Sequence, residues 1–175
     1  MDSERVLNVG CGSDLSVGTD WIDLYPSDKR VLKVDAGKDF FPYPAYTFDR
    51  VYSRHLVEIL PTPLHFFDEC FRVLKRRGKL TVIAPNATGA DTILGNNSGY
   101  DNKILGEHQP SFLIFTKPIL ENWFRHVGFS NVRSSFITTK PTVDRDDLKR
   151  NATLISAVGS VFPKLNSQII CEGIR

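Results

Sequence analysis

A short apolar run that breaks on two glycines constrains this chain more than any other stretch. In Arg5-Val-Leu-Asn-Val-Gly-Cys-Gly-Ser-Asp14, the residues Val6, Leu7 and Val9 lead directly into Gly10 and Gly12. Such a run before a glycine-rich turn reads as a buried parallel strand that ends in a loop where backbone approaches a ligand. Glycine reaches positive φ and lacks the Cβ that would hold a ligand off the main chain. Two more strand-like runs follow, each closed by an acidic residue: Trp21-Ile-Asp23-Leu and Val31-Leu-Lys-Val-Asp35. Parallel strands of this kind belong to an α/β sheet with helices on its faces.

The first crossover is short. Residues 10–20 are all that separate Val9 from Trp21, and Gly10, Gly12 and Gly18 take part of that length. This is near the minimum for joining parallel strands through a helix, so the first crossover helix is shortened to about a turn or missing. One face of the sheet is then under-covered unless a later segment or a second subunit lies on it. Large exposed apolar patches are uncommon on monomers, so a homodimer is expected.

Further along, residues 39–47 carry Pro42 and Pro44 and read as a loop, because proline does not sit in a central strand. Phe48-Asp-Arg-Val-Tyr-Ser53 is the fourth strand. Pro61 to Arg77 reads as an amphipathic helix with Leu64, Phe67, Cys70, Phe71 and Leu74 on one face, Pro63 in its first turn and Gly78 capping its end. Lys75-Arg76-Arg77 then falls at a helix terminus, where cations offset the dipole. Leu80-Thr-Val-Ile-Ala84 is the fifth strand. Asn86 to Gln109 has no sustained period and reads as a binding loop or lid. Thr116 to Phe129 is a helix with Thr116 as N-cap and Gly128 as the residue after its end. A strand over Asn131 to Thr139, a helix from Asp144 to about Val161 and a last strand over Ser167 to Glu172 complete the chain.

These segments, taken together, resemble one family. Leu7-Asn-Val-Gly-Cys-Gly12, Trp21-Ile-Asp23-Leu, Val34-Asp35 and Phe48-Asp-Arg-Val-Tyr-Ser-Arg-His-Leu-Val-Glu58 stand in order, followed by Phe71-Arg-Val-Leu-Lys-Arg-Arg-Gly78, Lys79-Leu-Thr-Val-Ile-Ala-Pro85 and Gly128-Phe129. Over nearly its whole length the chain resembles the class I S-adenosylmethionine-dependent methyltransferases, in a compact, type 11-like subset acting on small molecules. The resemblance implies an α/β fold: a Rossmann-like three-layer sandwich with a mostly parallel seven-stranded sheet, its last strand antiparallel between its neighbours. It also implies one domain over residues 1–175, S-adenosyl-L-methionine as cofactor, and methyl transfer to a small acceptor such as a sugar or another metabolite. The alternative is a catalytically silent protein of the same fold serving as a binding subunit. The missing helix keeps it open, as does Ile59 where the family often has His. A nicotinamide-dependent oxidoreductase is disfavoured, because the loop lacks a third glycine and the crossover has no room for a long helix behind a pyrophosphate.

Site residues follow from the same resemblance. Gly10, Cys11 and Gly12 form the cofactor loop. Asp23 accepts hydrogen bonds from the ribose hydroxyls, a task suited to a group that offers only acceptors; otherwise it is a turn residue before Tyr25-Pro26. Asp35, with Ala36, holds the adenine amino group, or else closes an ordinary Asp-Ala-Gly turn. Ser53, Arg54 and Glu58 complete the cofactor side, with Glu58 bracing the glycine loop through backbone amides. Phe40, Phe41 or Tyr43 packs either on the purine or on the core. His55 and His108 are the catalytic candidates. Ligands bind beyond the carboxyl ends of strands in open α/β sheets, which is where His55 stands. Each histidine is either a general base or a shaping residue, His108 as a cap before Pro110. Cys11 has no neighbouring base and is not read as a nucleophile.

Composition excludes more than it selects. With 175 residues, 41% hydrophobic and 24% charged, the chain suits one domain with a full core. A net charge of +2 gives no cause to expect a polyanion, so nucleic acid is not favoured as a partner. Cys11, Cys70 and Cys171 are widely spaced and odd in number, which argues against disulfides and zinc and suits a reducing compartment. Without a signal-like N-terminus or a membrane-length apolar run, the expected location is cytoplasmic.

Overall fold

The computed structural model describes residues 3–89, 99–102, 107–137 and 162–175. Strands β1 (Val6–Val9), β2 (Asp20–Asp23), β3 (Val31–Lys33) and β4 (Phe48–Arg54) come first, followed by a one-turn 3-10 helix at Val57–Ile59. Helix α1 (Leu64–Val73) leads straight into β5 (Leu74–Pro85). A two-stranded ribbon, β6 (Gly99–Asn102) and β7 (Glu107–Pro110), precedes α2 (Lys117–Val127), β8 (Ser130–Ile137) and β9 (Gln168–Ile174). The helix expected over 144–161 lies outside the described residues.

Seven strands form one sheet in the order β3-β2-β1-β4-β5-β9-β8. The pairs from β3 to β5 are parallel, whereas β9 runs antiparallel to both β5 and β8, as expected of the last strand. Leu7, Val9, Val51, Leu80 and Val82 are buried along the central strands, which is why these runs are apolar. The two helices pack on each other beside the sheet. Phe67 of α1 stacks on Trp123 and meets Phe124 of α2 edge-on, while Phe71 and Phe124 both touch Phe129. Gly173 of β9 is required beneath this cluster, since a Cβ there would stand 2.7 Å from Phe124.

The crossover between β1 and β2 contains no helix. Its loop folds back over the sheet instead. Successive strand residues face opposite sides, so Asn8 points away from Leu7 and Val9. Its amide donates to the carbonyls of Asp14 and Val17, and the Trp21 indole N–H also donates to Val17 at 2.8 Å. Gly18, at φ 111°, fits between Asn8 and Trp21, where a side chain would be strained and crowded. The face left by the missing helix therefore carries a buried amide and an indole satisfied by the loop, and cover here does not call for a second subunit.

One expectation about α1 fails. Lys75-Arg76-Arg77 does not end a helix, and Gly78 is not its cap: α1 stops at Val73 and the basic run opens β5. Leu74 is fully buried and pairs with Phe48 of β4, and Arg77 takes a left-handed φ of 64°. A Cβ on Gly78 would crowd Lys75 and Asp49 backbone oxygens, so the chain must pass close to β4 there. Lys75 reaches sideways to Asp49 at 2.8 Å rather than along a helix axis.

Candidate active site

Register brings the strand ends level. Val9 pairs with Ile22 on one side and Ser53 on the other, so Gly10, Asp23 and Arg54 follow at the same edge of the sheet. Next to them Arg54 pairs with Ile83, and the end of β5 at Pro85 pairs with Gln168, the first residue of antiparallel β9.

The glycine loop is held from two directions. The Gly10 amide donates to the Ile22 carbonyl at 2.9 Å, and the Gly12 amide donates to Asp23 Oδ2 at 2.8 Å. Asp23 Oδ1 accepts from the Tyr25 amide at 2.8 Å, which is the turn contact foreseen for it. Gly10 and Gly12 have φ of 69° and 55°. Gly10 packs against Leu56, so the loop rests on the segment that carries His55 and Glu58. Beside Gly12 there is open space: among the described residues, its chain neighbours aside, no atom lies within 4 Å of where a Cβ would be. Cys11 is buried, and burial, reinforced by Asp23, pushes its thiol up to about 12, so it offers no thiolate near neutral pH.

Asp35 lies in the turn beyond β3. Its Oδ1 accepts from the Gly37 amide at 3.0 Å and its Oδ2 pairs with Lys38 at 3.2 Å. Ala36 is buried in the core. In the loop that follows, Phe41 is buried in the core while Phe40 is 77% exposed and meets His65 edge-on. Arg72 ties that loop to α1 through the carbonyls of Phe41 and Tyr43, and pairs with Glu69 at 2.7 Å.

His55 sits at the centre of the remaining polar groups. Its backbone is left-handed at φ 54°, a conformation costly for a residue with a Cβ and concentrated at functional sites. The ring is 35% exposed and its Nδ1 lies 3.1 Å from Oε1 of Glu58, whose side chain is only 4% exposed. The Gln168 amide approaches the other ring nitrogen, with Nε2 to Nε2 at 2.7 Å. Glu58 therefore braces His55 rather than the glycine loop, whose Gly10 and Gly12 amides are taken by Ile22 and Asp23. Its backbone carbonyl accepts from Phe112 and Leu113, drawing the chain that follows β7 alongside the site. His108 is in β7, opposite Asp101; its side chain lies outside the described residues.

Among the described residues, four buried polar atoms at this edge have no hydrogen-bond partner: Ser53 Oγ, Arg54 Nε, Glu58 Oε2 and Gln168 Oε1. Buried polar groups are normally satisfied, so a cluster of orphans beside open space suits a polar ligand. A carboxylate has about four lone-pair sites, so Asp23, with two amides bound, retains acceptors for hydroxyls. Arg54, whose charge acts on Asp14 of the loop, offers a cation. These residues fit a ligand bearing ribose hydroxyls and a carboxylate. Gln168 was not legible as a site residue, because it lies 113 positions from His55 and follows no motif spacing.

A family model described as a methyltransferase domain matches residues 19–82. The chain is 26% identical over 185 residues to a ubiquinone biosynthesis O-methyltransferase of Xylella fastidiosa (strain 9a5c), covering 89% of this chain and 75% of that protein. The fold is similar to that of a SAM-dependent methyltransferase from Archaeoglobus fulgidus, with TM-score 0.62 and 17% identity over 98% of this chain and 86% of that one. It is also similar to Haemonchus contortus phosphoethanolamine N-methyltransferase 2 in complex with S-adenosyl-L-methionine, with TM-score 0.57 and 13% identity over 98% of this chain and 48% of that one.

Proposed function

We propose that the chain is a class I S-adenosylmethionine-dependent methyltransferase that methylates a hydroxyl oxygen of a small molecule. Sugars and other hydroxylated metabolites form the acceptor class. The observation that carries this reading is the His55–Glu58 pair at the strand edge beside the glycine loop. The O-methyltransferase named above supports the choice of oxygen.

When bound, the cofactor supplies a methyl group already activated by its sulfonium, so the protein must align the nucleophile and remove its proton. Gly12 leaves room for the ligand; Asp23 would accept from ribose hydroxyls and Arg54 would pair with its carboxylate. Asp35 and Ala36 would hold the adenine, with Ser53 and Cys11 completing the wall. His55 takes the proton of the acceptor hydroxyl, and buried Glu58 orients the ring and offsets the charge it acquires. His108, on the strand leading to the Glu58 backbone contact, is a second group on the acceptor side. We read residues 1–175 as one such domain, since the sheet draws strands from Val6 through to Ile174. No helix among the described residues is long and apolar enough to cross a membrane. Free, buried Cys11, Cys70 and Cys171 support a reducing, cytoplasmic setting.

The test is a screen of sugars, catechols and other hydroxylated metabolites with S-adenosylmethionine, reading S-adenosylhomocysteine release. With the best acceptor, His55→Gln is expected to lower turnover on the order of 10²–10⁴-fold while keeping S-adenosylhomocysteine affinity. Wild-type turnover in His55→Gln would remove the histidine from the chemistry.

A further inference from the structure

Nothing in the function above requires Gln168, yet its place is unusual. It is buried at the first position of β9, the strand whose reversed direction puts its N-terminal end at the carboxyl ends of the parallel strands. Its backbone is set by pairing with Pro85, so the side chain enters from a strand on the far side of β5. There its amide nitrogen lies 2.7 Å from His55 Nε2, while Glu58 holds Nδ1 from the opposite edge of the ring.

The hydrogen-bond inventory of these groups is restrictive. Gln168 Nε2 carries hydrogens and donates; a neutral imidazole has one donor and one acceptor nitrogen. Donation from Gln168 therefore leaves the lone pair on His55 Nε2 and the proton on Nδ1, which donates to the Glu58 carboxylate. The tautomer is that of a ring ready to accept a proton at Nε2. Gln168 Oε1, the other end of the same amide, is buried without a partner. Rotating the amide by half a turn brings that oxygen to Nε2, where it accepts a hydrogen bond from a protonated ring.

We propose that Gln168 is a positioning residue for His55, resting on the reading of His55 as the base. Before reaction its N–H holds the ring with Nε2 unprotonated. The acceptor hydroxyl displaces that N–H, its O–H bond breaks, and the proton goes to Nε2 as the oxygen takes the methyl group. The reversed amide then accepts from Nε2–H, so both protons of the imidazolium are bonded, one to Glu58 and one to Gln168. Among the described residues, Glu58 is the charged group on the ring; Arg54, its chain neighbour, acts on Asp14 and Tyr52. A glutamine is suited to this place because it can donate or accept from one position, which neither leucine nor glutamate can do.

The experiment uses the whole chain without acceptor or cofactor. Nitrogen-15 spectra of the imidazoles are recorded at pH 8, with the His55→Gln variant identifying which of the four histidines is His55. Wild type is expected to show Nδ1–H with Nε2 unprotonated. Gln168→Glu, which can only accept, should add a proton on Nε2 while Glu58 keeps the one on Nδ1, and Gln168→Leu, which offers neither, should admit some of the Nε2–H tautomer. Melting curves like that of wild type confirm folded variants. Gln168→Met serves in place of Gln168→Leu if the latter does not fold. The same tautomer in all of these proteins, or Nε2–H in wild type, overturns the proposal. Because no methyl transfer is read, that outcome is separate from loss of activity in His55→Gln, which tests the base itself.

Discussion

The Gly12 amide donates to the Asp23 carboxylate at 2.8 Å, so the acid ending β2 holds the second glycine of the loop that ends β1. One side chain thus serves two purposes: it shapes the loop and keeps acceptors for a ribose. Asp23→Ala is expected to weaken S-adenosylhomocysteine binding by roughly 1.5–3 kcal/mol, the usual loss for hydrogen bonds to a charged group. Calorimetry decides it. Wild-type affinity in both Asp23→Ala and Asp35→Ala would move the cofactor site elsewhere.

The two loop glycines should separate folding from binding. Both sit at positive φ, where alanine costs about 1–2 kcal/mol. At Gly10 the new methyl also meets Leu56 at 3.0 Å, whereas at Gly12 it enters open space. Denaturant melts should therefore rank Gly10→Ala as the less stable variant. Gly12→Ala should fold but bind S-adenosylhomocysteine poorly, and undiminished binding would mean that the open space is not the ligand's.

Glu69 makes stability depend on acid. Burial pulls its carboxyl up, but the hydrogen bonds from Arg72 and the Phe41 amide outweigh it and leave the group below its ordinary value. A carboxyl depressed in the folded state stabilises above its unfolded value, about 4.3, and that contribution is lost as pH falls through the folded value. Urea melts of wild type should lose stability over that window, and Glu69→Gln should lose less of it. At pH 7 the same variant should be less stable by about 1–3 kcal/mol, because Arg72 and the Phe41 amide lose a charged acceptor. Identical pH slopes for the two proteins would refute the assignment.

His108 is tested by what its loss spares. On the acceptor side, His108→Gln should cut turnover strongly while S-adenosylhomocysteine affinity and melting temperature hold. As a cap before Pro110 it would instead lower stability and leave the turnover of folded protein intact. A large loss of cofactor affinity would sink the acceptor-side assignment.

Much of this molecule is written in short stretches. The strands at Val6–Val9, Phe48–Arg54 and Lys117–Val127's neighbour β8 stand within a residue or two of where apolar patterning puts them. Thr116 and Gly128 flank α2 as expected, with Gly128 left-handed at φ 111°. The reading failed where a distant contact outweighed the local pattern. Leu74-Lys-Arg-Arg continues a helical period, but Leu74 is fully buried opposite Phe48, and pairing with β4 takes the segment.

Sequence alone determined where strands end and which residues stand at those ends, because glycine, proline and apolar periodicity act over a few positions. It also determined that no ordinary helix follows β1, since chain length forbids one. Only the tertiary structure decided what replaces that helix, with Asn8 and Trp21 bonded to the returning loop. It alone turned Glu58 toward His55 and brought Gln168 to the same ring. Side-chain partners across a sheet depend on strand order and register, which set distances between residues that are remote in the chain, and no local spacing records them.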